Sequence, residues 1–381
     1  MNKRLLIPML MCLAGMGMAP SAMALEGISF SGYMTVKGTY TDAVKKSDGL
    51  TETKYGYGYA SKNVDFDTHG NHVGLQASSQ VTDDLEMTMV LQAHGGHEKY
   101  AVAVEWVYAS YAATDDFTIR LGRIKGPFFM VSEYKEVGYA YPWVTPPQEV
   151  YSTNPIDAIV GPDLVYQKSF GNWDWLFELY AGSGKHDATA QANVADTGAI
   201  TKGASVDFST NNMVGFNTTL GTQGISFRMG YFTTKVDASD FGIKDETGSF
   251  GGIGLIVDWH NFLVYSEYII RDTQNSTNMN MAFPDQYAGY ITLGYRFGNF
   301  TPYFTASSMD KGKDASIYAL KQTSYTLGFR YEAGPTAAIK FEASQVKPDA
   351  DPGDLGAYGL FDDPVKNNKG NVIAASFDLI F

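Results

Sequence analysis

Apolar and polar residues alternate over segments of about ten residues along most of the chain. The stretch 325–331 is an example, since Tyr325, Leu327, Phe329 and Tyr331 are separated by Thr, Gly and Arg. A period of two is typical of a β-strand with one apolar face, because successive side chains of a strand point to opposite sides. The pattern therefore predicts an all-β protein.

We identify sixteen such segments, at 28–40, 68–81, 85–97, 101–114, 116–124, 161–171, 173–184, 203–221, 224–237, 248–260, 261–274, 285–298, 299–311, 321–333, 335–348 and 369–381. Tight turns such as Gly171-Asn172 alternate with longer polar connections, which are 41–67, 125–160, 185–202, 238–247, 272–284 and 349–368. An even strand number with short turns at one end and long loops at the other is typical of a bacterial outer-membrane barrel. We therefore predict a transmembrane antiparallel β-barrel of sixteen strands.

A secreted β-sandwich or β-propeller also contains many alternating strands. The regular alternation of turn and loop lengths favours the membrane barrel. A sheet in a bilayer must close on itself, because hydrocarbon cannot satisfy unpaired backbone groups. We expect one barrel with no apolar core at its centre.

Residues 1–24 have the features of an export signal. Lys3 and Arg4 precede the apolar stretch 5–18, and Ala22-Met23-Ala24 has the small residues that signal peptidase needs. We therefore predict a signal peptide at 1–24 and a mature barrel domain at 25–381.

Composition adds two exclusions. The only Cys is Cys12, inside the predicted signal, so neither a disulfide framework nor a cysteine zinc site is expected, and we predict no cofactor. Removing the signal leaves 26 basic against 41 acidic residues, a net charge of −15. Such acidity disfavours nucleic-acid binding, which requires a basic surface.

The longest connection, 125–160, follows the fifth strand, which ends on Leu121-Gly122-Arg123 with Pro127 close behind. The chain terminates in alternating apolar residues, Phe377, Leu379 and Phe381. In these features the sequence resembles the Gram-negative trimeric outer-membrane porin family. The resemblance implies that the loop 125–160, the third loop of the barrel, folds into the lumen. It also implies that Phe381 belongs to the signal read by the barrel-insertion machinery.

The resemblance further implies a homotrimer in the outer membrane of a Gram-negative bacterium, in contact with lipid and lipopolysaccharide and exported through the periplasm. The third loop departs from the family, because Ser132-Glu133-Tyr134-Lys135-Glu136 replaces the Pro-Glu-Phe-Gly segment of enterobacterial relatives. Details of the constriction are therefore not transferred from those relatives.

Strand parity assigns side chains to the lumen, since an apolar set on one parity leaves the other facing water. The charges predicted to face the lumen are Glu105, Arg120, Glu178, Arg228, Asp258, Glu267, Arg296, Arg330, Lys340 and Glu342. Charges of both signs fit a water-filled pore, whereas a charge on the lipid side would cost about 2–4 kcal/mol near the bilayer midplane.

We predict a pore constriction in which the loop acids Glu133 and Glu136 face the wall bases Arg120 and Arg123. Strict alternation sends Arg123 outward, and a β-bulge at Gly122 would turn it into the lumen. Two alternatives remain: Arg123 lies beyond the hydrocarbon and binds loop carbonyls, or the two glutamates are ordinary solvated loop residues.

Four His residues fall in one predicted hairpin, as His69-x-x-His72 and His94-x-x-His97. The turn at 82–84 places His72 opposite His94, close enough to share a metal ion. The two pairs differ in parity and cannot form one four-ligand site. We therefore predict no metal site and keep His72 and His94 as weak candidates.

The predicted function is passive diffusion of small hydrophilic solutes and ions through a water-filled channel. The alternative is a substrate-selective channel of the same shape, for organic acids or sugars. A barrel hydrolase would need a Ser activated by a His on the wall. Away from the clustered pairs, the only His on a predicted strand is His260, at a periplasmic turn, so we predict that the protein is not an enzyme. A structural or adhesive barrel would show no steady conductance.

The acidic charge of the chain bears on its ion selectivity. The net charge of −15, together with a net −2 over the loop 125–160, predicts a modest preference for cations. The reversal potential across a potassium chloride gradient measures this preference directly. A potential of the sign produced by chloride selectivity would contradict it.

Overall fold

The computed structural model describes residues 27–56, 60–64, 66, 70–96, 99–189, 193–194, 200–201, 205–273, 276–313, 319–349 and 358–381. The predicted signal peptide, His69 and His97 lie outside these residues. In the part of the chain that is described, no helix has both the length and the apolar character needed to cross a membrane.

The fold is built from sixteen long strands, numbered here in chain order. The first eight are β1 Ile28–Thr41, β2 His72–Thr82, β3 Leu85–Gly96, β4 Lys99–Thr114, β5 Phe117–Lys125, β6 Ala158–Phe170, β7 Trp173–Thr189 and β8 Ser205–Thr222. The second eight are β9 Ile225–Ala238, β10 Ile243–Trp259, β11 Phe262–Thr273, β12 Gln286–Tyr295, β13 Phe300–Lys311, β14 Gln322–Gly334, β15 Ala337–Pro348 and β16 Gly370–Ile380.

The sixteen strands form one closed antiparallel barrel in which each strand pairs with its neighbours in the sequence. The ring closes where β1 pairs with β16, with Tyr33 opposite Ile380 and Val36 opposite Phe377. Closure gives every strand two partners, so that the barrel has no unpaired edge. The predicted fold class and strand number are confirmed.

The elements outside the barrel are short. Residues Asn193–Val194 and Ile200–Thr201 form a two-stranded ribbon. The helices are α1 Gln148–Tyr151 and α2 Thr277–Ala282, and there are 3-10 turns at Ser132–Tyr134, Gly138–Ala140, Ser239–Phe241 and Lys366–Asn368.

The outer surface of the barrel is apolar, and the polar residues face inward. On β14, Leu327 is 66% exposed while Arg330 is 9% exposed. The same alternation holds on β5, where Leu121 is exposed and Arg120 turns to the buried side. The parity read from the sequence is therefore correct for most of the wall.

One predicted loop is much shorter than expected. The connection expected at 238–247 consists only of the 3-10 turn Ser239–Phe241 and Gly242, because the following strand, β10, begins at Ile243 and not at the predicted position 248. Lys235 pairs with Thr247 and Val236 with Glu246 in this extension. Strand pairing continues here through the backbone, although the side chains on both faces are largely polar.

The prediction of a β-bulge at Gly122 is wrong. The ladder runs from Leu121 to Arg123 without a register shift against either neighbouring strand. Gly122 instead adopts φ +146°, and a Cβ atom there would overlap the carbonyl oxygen of Val107. The register shift lies in β4, where Glu105 is left unpaired between Val104 and Trp106.

The expectation of a barrel without an apolar core is also wrong. Buried aromatic residues of 126–157 pack against buried aromatic residues of the wall. Phe128 lies 4.7 Å from Phe232, and Phe129 lies 5.2 Å from Phe250, measured between ring centroids. The loop is rich in aromatic residues, and these contacts remove their rings from water.

Replacing Gly122 by Ala is expected to destabilise the barrel by about 1–3 kcal/mol, the usual cost of a side chain in a sparsely populated backbone region. Gly230→Ala is the matched control, because the nearest atom to its new Cβ would lie at an ordinary 3.4 Å. The midpoints of urea unfolding measure both changes. Equal shifts for the two variants would contradict this explanation of Gly122.

Candidate functional site

The candidate site is built from the segment 126–157, which joins β5 to β6, and from the wall residues that it contacts. Its ends are tied by a 3.0 Å bond from the Gly126 amide to the Asp157 carbonyl. Its backbone forms only short helical turns, so many of its amides and carbonyls must find partners outside regular structure. Several of these partners are charged side chains of the barrel wall.

Two basic side chains on adjacent strands donate to carbonyl groups of the segment. Lys340 on β15 donates to the carbonyls of Trp143, at 2.7 Å, and Gly138. Arg330 on β14 donates to the carbonyl of Tyr141 at 3.0 Å. Since Lys340 is fully buried, these carbonyls replace the water that its ammonium group has lost.

Two further arginines repeat this arrangement on other strands. Arg228 on β9 donates to the Pro127 carbonyl and, at 2.6 Å, to the side-chain oxygen of Asn217. Arg271 on β11 donates to the Thr153 carbonyl at 2.6 Å. The segment is thus held close to its start and close to its end.

Acidic groups complete the set of contacts. Glu267 on β11 accepts from the Met130 amide at 2.9 Å and from the Tyr151 hydroxyl at 3.0 Å. Glu149, a buried residue of the segment, accepts from Ser307 at 2.7 Å and from Gln322 at 2.6 Å. Charged side chains of the wall therefore bind the segment, and a charged side chain of the segment binds the wall.

Trp143 anchors the apolar part of the segment. Its indole nitrogen donates to the Thr292 hydroxyl at 2.9 Å. Its ring lies edge-on to Tyr265 and Tyr290, with centroid distances of 4.9 and 5.5 Å. A fully buried Trp with a satisfied N–H fixes both the position and the orientation of this stretch.

Arg120 lies in a cluster of carboxyl groups. Its guanidinium contacts Glu178 at 2.6 Å and Asp163, both of which are fully buried. Glu133 of the segment lies in the same electrostatic environment, and its Oε2 atom has no hydrogen-bond partner among the described residues. Burial and the neighbouring Glu178 carboxylate raise the pKa of Glu133 to about 8, although Arg120 opposes the shift.

Glu136 has a different environment. Its carboxylate lies 3.7 Å from Lys125 and 3.8 Å from Lys135, and Gln92 approaches it at 3.4 Å. Burial disfavours the charged form, but Lys125, Lys135 and His72 outweigh it and lower the pKa of Glu136 to about 2. The two predicted constriction acids therefore differ in charge at neutral pH.

Arg123 does not join Glu133 or Glu136 in the observed contacts. Its Cα pairs with those of Val107 and Val160, both exposed on the outer side, and its Nε donates to the Glu105 carbonyl at 3.0 Å. The assignment of Arg123 to an inward constriction pair depended on a bulge that is absent. The alternative of a backbone carbonyl as its partner matches this geometry.

The remaining predicted wall charges are placed as follows. Glu105 lies 3.7 Å from Lys125, while Asp258 forms an exposed ion pair with Arg296 at 2.8 Å. Glu342 accepts from the Tyr303 hydroxyl at 2.8 Å. None of these three carboxylates is bonded to Arg120 in the described contacts.

Phe381 lies at the seam of the barrel. Its backbone exchanges two hydrogen bonds with Gly32, of 2.7 and 2.9 Å. Its ring occupies the space that a side chain at Gly32 would need, and about half of its surface is exposed. The last residue thus completes the pairing of β1 with β16.

His72 lies opposite His94, as the turn predicted. The His72 ring nitrogens face the carbonyl oxygens of Gly70, at 3.1 Å, and Glu136, at 2.6 Å. Among the described residues, no group of three or more metal-binding side chains is suited to a metal ion. His186, expected in a loop, lies on the extension of β7 and contacts Thr210 at 3.1 Å.

Some residues of the site were missed by the sequence argument. Asp163 and Arg271 have the inward parity of their strands, so alternation could have identified them. Lys37 is the third such residue; it lies on β1 and donates to the Thr145 hydroxyl at 3.1 Å. The contacts through backbone carbonyls carry no signal in the sequence, because any residue supplies a carbonyl.

No known protein family and no curated protein matches the sequence. The fold, however, is similar to solved outer-membrane proteins. An anion-selective porin from Comamonas acidovorans has 12% identity and a TM-score of 0.58, over 93% of this chain and 99% of that one. The outer-membrane channel DcaP of Acinetobacter baumannii has 14% identity and a TM-score of 0.57, over 94% and 99%.

A trimer form of the outer-membrane protein OmpT from Vibrio cholerae has 11% identity and a TM-score of 0.54, over 93% of this chain and 99% of that one. At such identities the comparison establishes the fold alone. The chain has the sixteen-stranded barrel fold of the outer-membrane porins.

The raised pKa of Glu133 leads to a prediction of pH dependence. Between the ordinary pKa of 4.5 and about 8, the folded protein binds a proton at Glu133 that the unfolded chain has released. The free energy of unfolding therefore falls as the pH rises through this range, and the contribution of this proton is lost once the pH passes about 8. Ionisation adds a negative charge beside Glu178. We expect cation preference, measured as reversal potential, to increase between about pH 6 and about pH 9.

Glu133→Gln should reduce that increase, since the amide is uncharged at both values. Glu136→Gln is the control, because Glu136, with a pKa lowered to about 2, is ionised throughout the range. The control should shift the potential equally at both pH values. A wild-type reversal potential independent of pH would refute the assigned protonation of Glu133.

Proposed function

We propose that the protein is an outer-membrane channel for passive diffusion of small hydrophilic solutes and ions. The proposal is supported by the barrel fold and, above all, by the attachment of the segment 126–157 to inward-facing side chains around the wall. A segment held by residues on opposite sides of a barrel narrows the lumen at its own height. We therefore infer that it is the third loop of a porin, folded inward as the constriction.

The proposed constriction is rigid. The segment is bound by buried charged donors such as Lys340 and Arg330, and hydrogen bonds to charged groups contribute about 1.5–3 kcal/mol each. Prolines at 127, 142, 146, 147 and 155 further restrict its backbone. Such a loop sets a size limit for solutes without opening and closing in ordinary use.

We propose a modest cation preference for this channel. The acidic chain and the carboxyl groups of Asp163 and Glu178 support it, while Arg120 and Arg228 reduce the local negative charge; Glu133 adds its negative charge only above about pH 8. The anion selectivity in the name of the Comamonas protein is a property of that protein. A second candidate is a substrate-selective channel, favoured by a small cavity between residues 143–149 and the Ser and Thr hydroxyls of the wall.

The cellular setting is part of the proposal. We propose that residues 1–24 direct export, that the barrel lies in the lipid and lipopolysaccharide of a Gram-negative outer membrane, and that it forms a homotrimer. Phe381, which lies at the seam between β1 and β16, is suited to recognition by the barrel-insertion machinery. We propose transport without catalysis, and therefore no enzymatic activity.

Planar-bilayer recording of the purified protein tests the channel. We expect steady conductance steps in potassium chloride. In Arg330→Met, the loss of charged hydrogen bonds worth about 1.5–3 kcal/mol each should loosen the loop and give more frequent current fluctuations.

Arg296→Met is the matched control, because Arg296 pairs with Asp258 and is not bonded to the segment in the described contacts. Its current traces should resemble those of the wild type. An absence of conductance would favour a structural or adhesive barrel, and identical traces for both variants would contradict the role assigned to Arg330.

A further inference from the structure

A small cavity lies between residues 143–149 and the inner wall, on the side of β1 and β13 to β16. Its volume is about 60 Å³. One water molecule needs about 10–15 Å³ on this measure, so the cavity has room for a solute of several heavy atoms. The wall side is rich in hydroxyl groups, from Thr39, Thr305, Ser307, Ser324, Thr326 and Ser344.

The hydroxyl groups form a patch because the strand register places them side by side. Thr305 pairs with Thr326 across β13 and β14, and Thr326 pairs with Ser344 across β14 and β15. Ser307 pairs with Ser324 in the adjoining row. Paired residues on one face of a sheet lie within contact distance, so these hydroxyls present one continuous surface.

The patch keeps hydrogen-bonding capacity. Ser307 donates its single proton to Glu149, so Ser324 must be the donor in the 2.8 Å contact between the two serines. Thr326 and Ser344 lie 2.7 Å apart, and only one of them donates in that bond. The other keeps a proton to which the described contacts assign no acceptor, and all four oxygens retain lone pairs.

The charged groups at the cavity are already engaged. Glu149 accepts from Ser307 and Gln322, and Glu342 accepts from Tyr303. Lys37 is buried and donates to the segment. Two carboxylates against one ammonium disfavour an anionic solute, and satisfied carboxylates attract a cation only weakly.

The segment lines the cavity with the polar residues Thr145, Gln148 and Glu149 and with Trp143, Pro146 and Pro147. The last three side chains offer C–H and ring surface. A polyol has O–H groups that both donate and accept along one edge and C–H groups along the other. An organic acid would add a negative charge beside Glu149 and Glu342, and a metal cation has neither hydroxyl nor C–H groups.

We propose that this cavity is a binding subsite for small neutral polyhydroxylated solutes, such as sugar alcohols and simple sugars. The proposal rests on the proposed channel function and specifies a solute class that the channel holds briefly beside its constriction. Binding there would appear as a saturable reduction of ion current.

The test uses the purified mature protein in planar bilayers, with ribitol as the probe. Diethylene glycol dimethyl ether serves as a neutral solute of similar size without hydroxyl groups. Ribitol should reduce the potassium chloride current towards a plateau, whereas the ether should only follow the change in bulk conductivity. Equal effects of the two solutes would overturn the proposal.

The double variant Ser324→Ala, Thr326→Val removes two hydroxyls from the patch. We expect the half-blocking concentration of ribitol to rise at least about threefold, as for the loss of one ordinary hydrogen bond. Thr301→Val is the matched control, since Thr301 is a buried residue of β13 that does not line the cavity. Its ribitol response should equal that of the wild type.

Conductance in potassium chloride alone reports whether each variant forms a channel. A variant with wild-type conductance and unchanged ribitol block would overturn the subsite while leaving the channel function intact. An absence of conductance in the wild type would overturn the channel function, and the subsite with it.

Discussion

A charged side chain that leaves bulk water needs a partner, and in this barrel many partners are backbone groups of the segment 126–157. Without the segment, Lys340, Arg330 and Arg228 would lose these carbonyl partners, at about 1.5–3 kcal/mol for each charged hydrogen bond. Their remaining partners on the wall are Asp378, Glu332 and Asn217. The segment, in turn, has little regular structure to satisfy its own backbone. Wall and segment therefore stabilise each other, and the cavity beside them exists only because both are in place.

This arrangement reduces the effect of many wall charges on ions in the proposed pore. Side chains that bind the segment exert less field on a passing ion than free ones, since their partners partly neutralise them. The carboxyl cluster around Arg120 is the exception, because burial raises the pKa of Glu133 to about 8 and two carboxyl oxygens, one on Glu133 and one on Asp163, have no hydrogen-bond partner among the described residues. Net charge alone therefore describes the selectivity of this channel incompletely.

Much of the fold could be predicted because successive side chains of a strand face opposite sides, so that apolar and polar residues alternate with a period of two. Leu327 and Arg330 were assigned to opposite faces from their positions alone, and both assignments hold. The prediction was wrong where the pattern of side chains does not indicate the conformation of the backbone. Polar residues on both faces hid the first residues of β10, 243–247, and nothing in the sequence distinguishes Gly122, with its positive φ, from any other glycine.

The sequence by itself determined sixteen strands, their inward and outward faces and the position of the long connection. Those properties follow from local alternation and from the turn residues between strands, which act over a few positions. Only the tertiary structure decided that Lys340 meets Trp143, that Glu133 shares the environment of Glu178, and that the hydroxyls of four strands border one cavity. These contacts join residues far apart in the chain, and many use backbone carbonyls, which every residue carries alike.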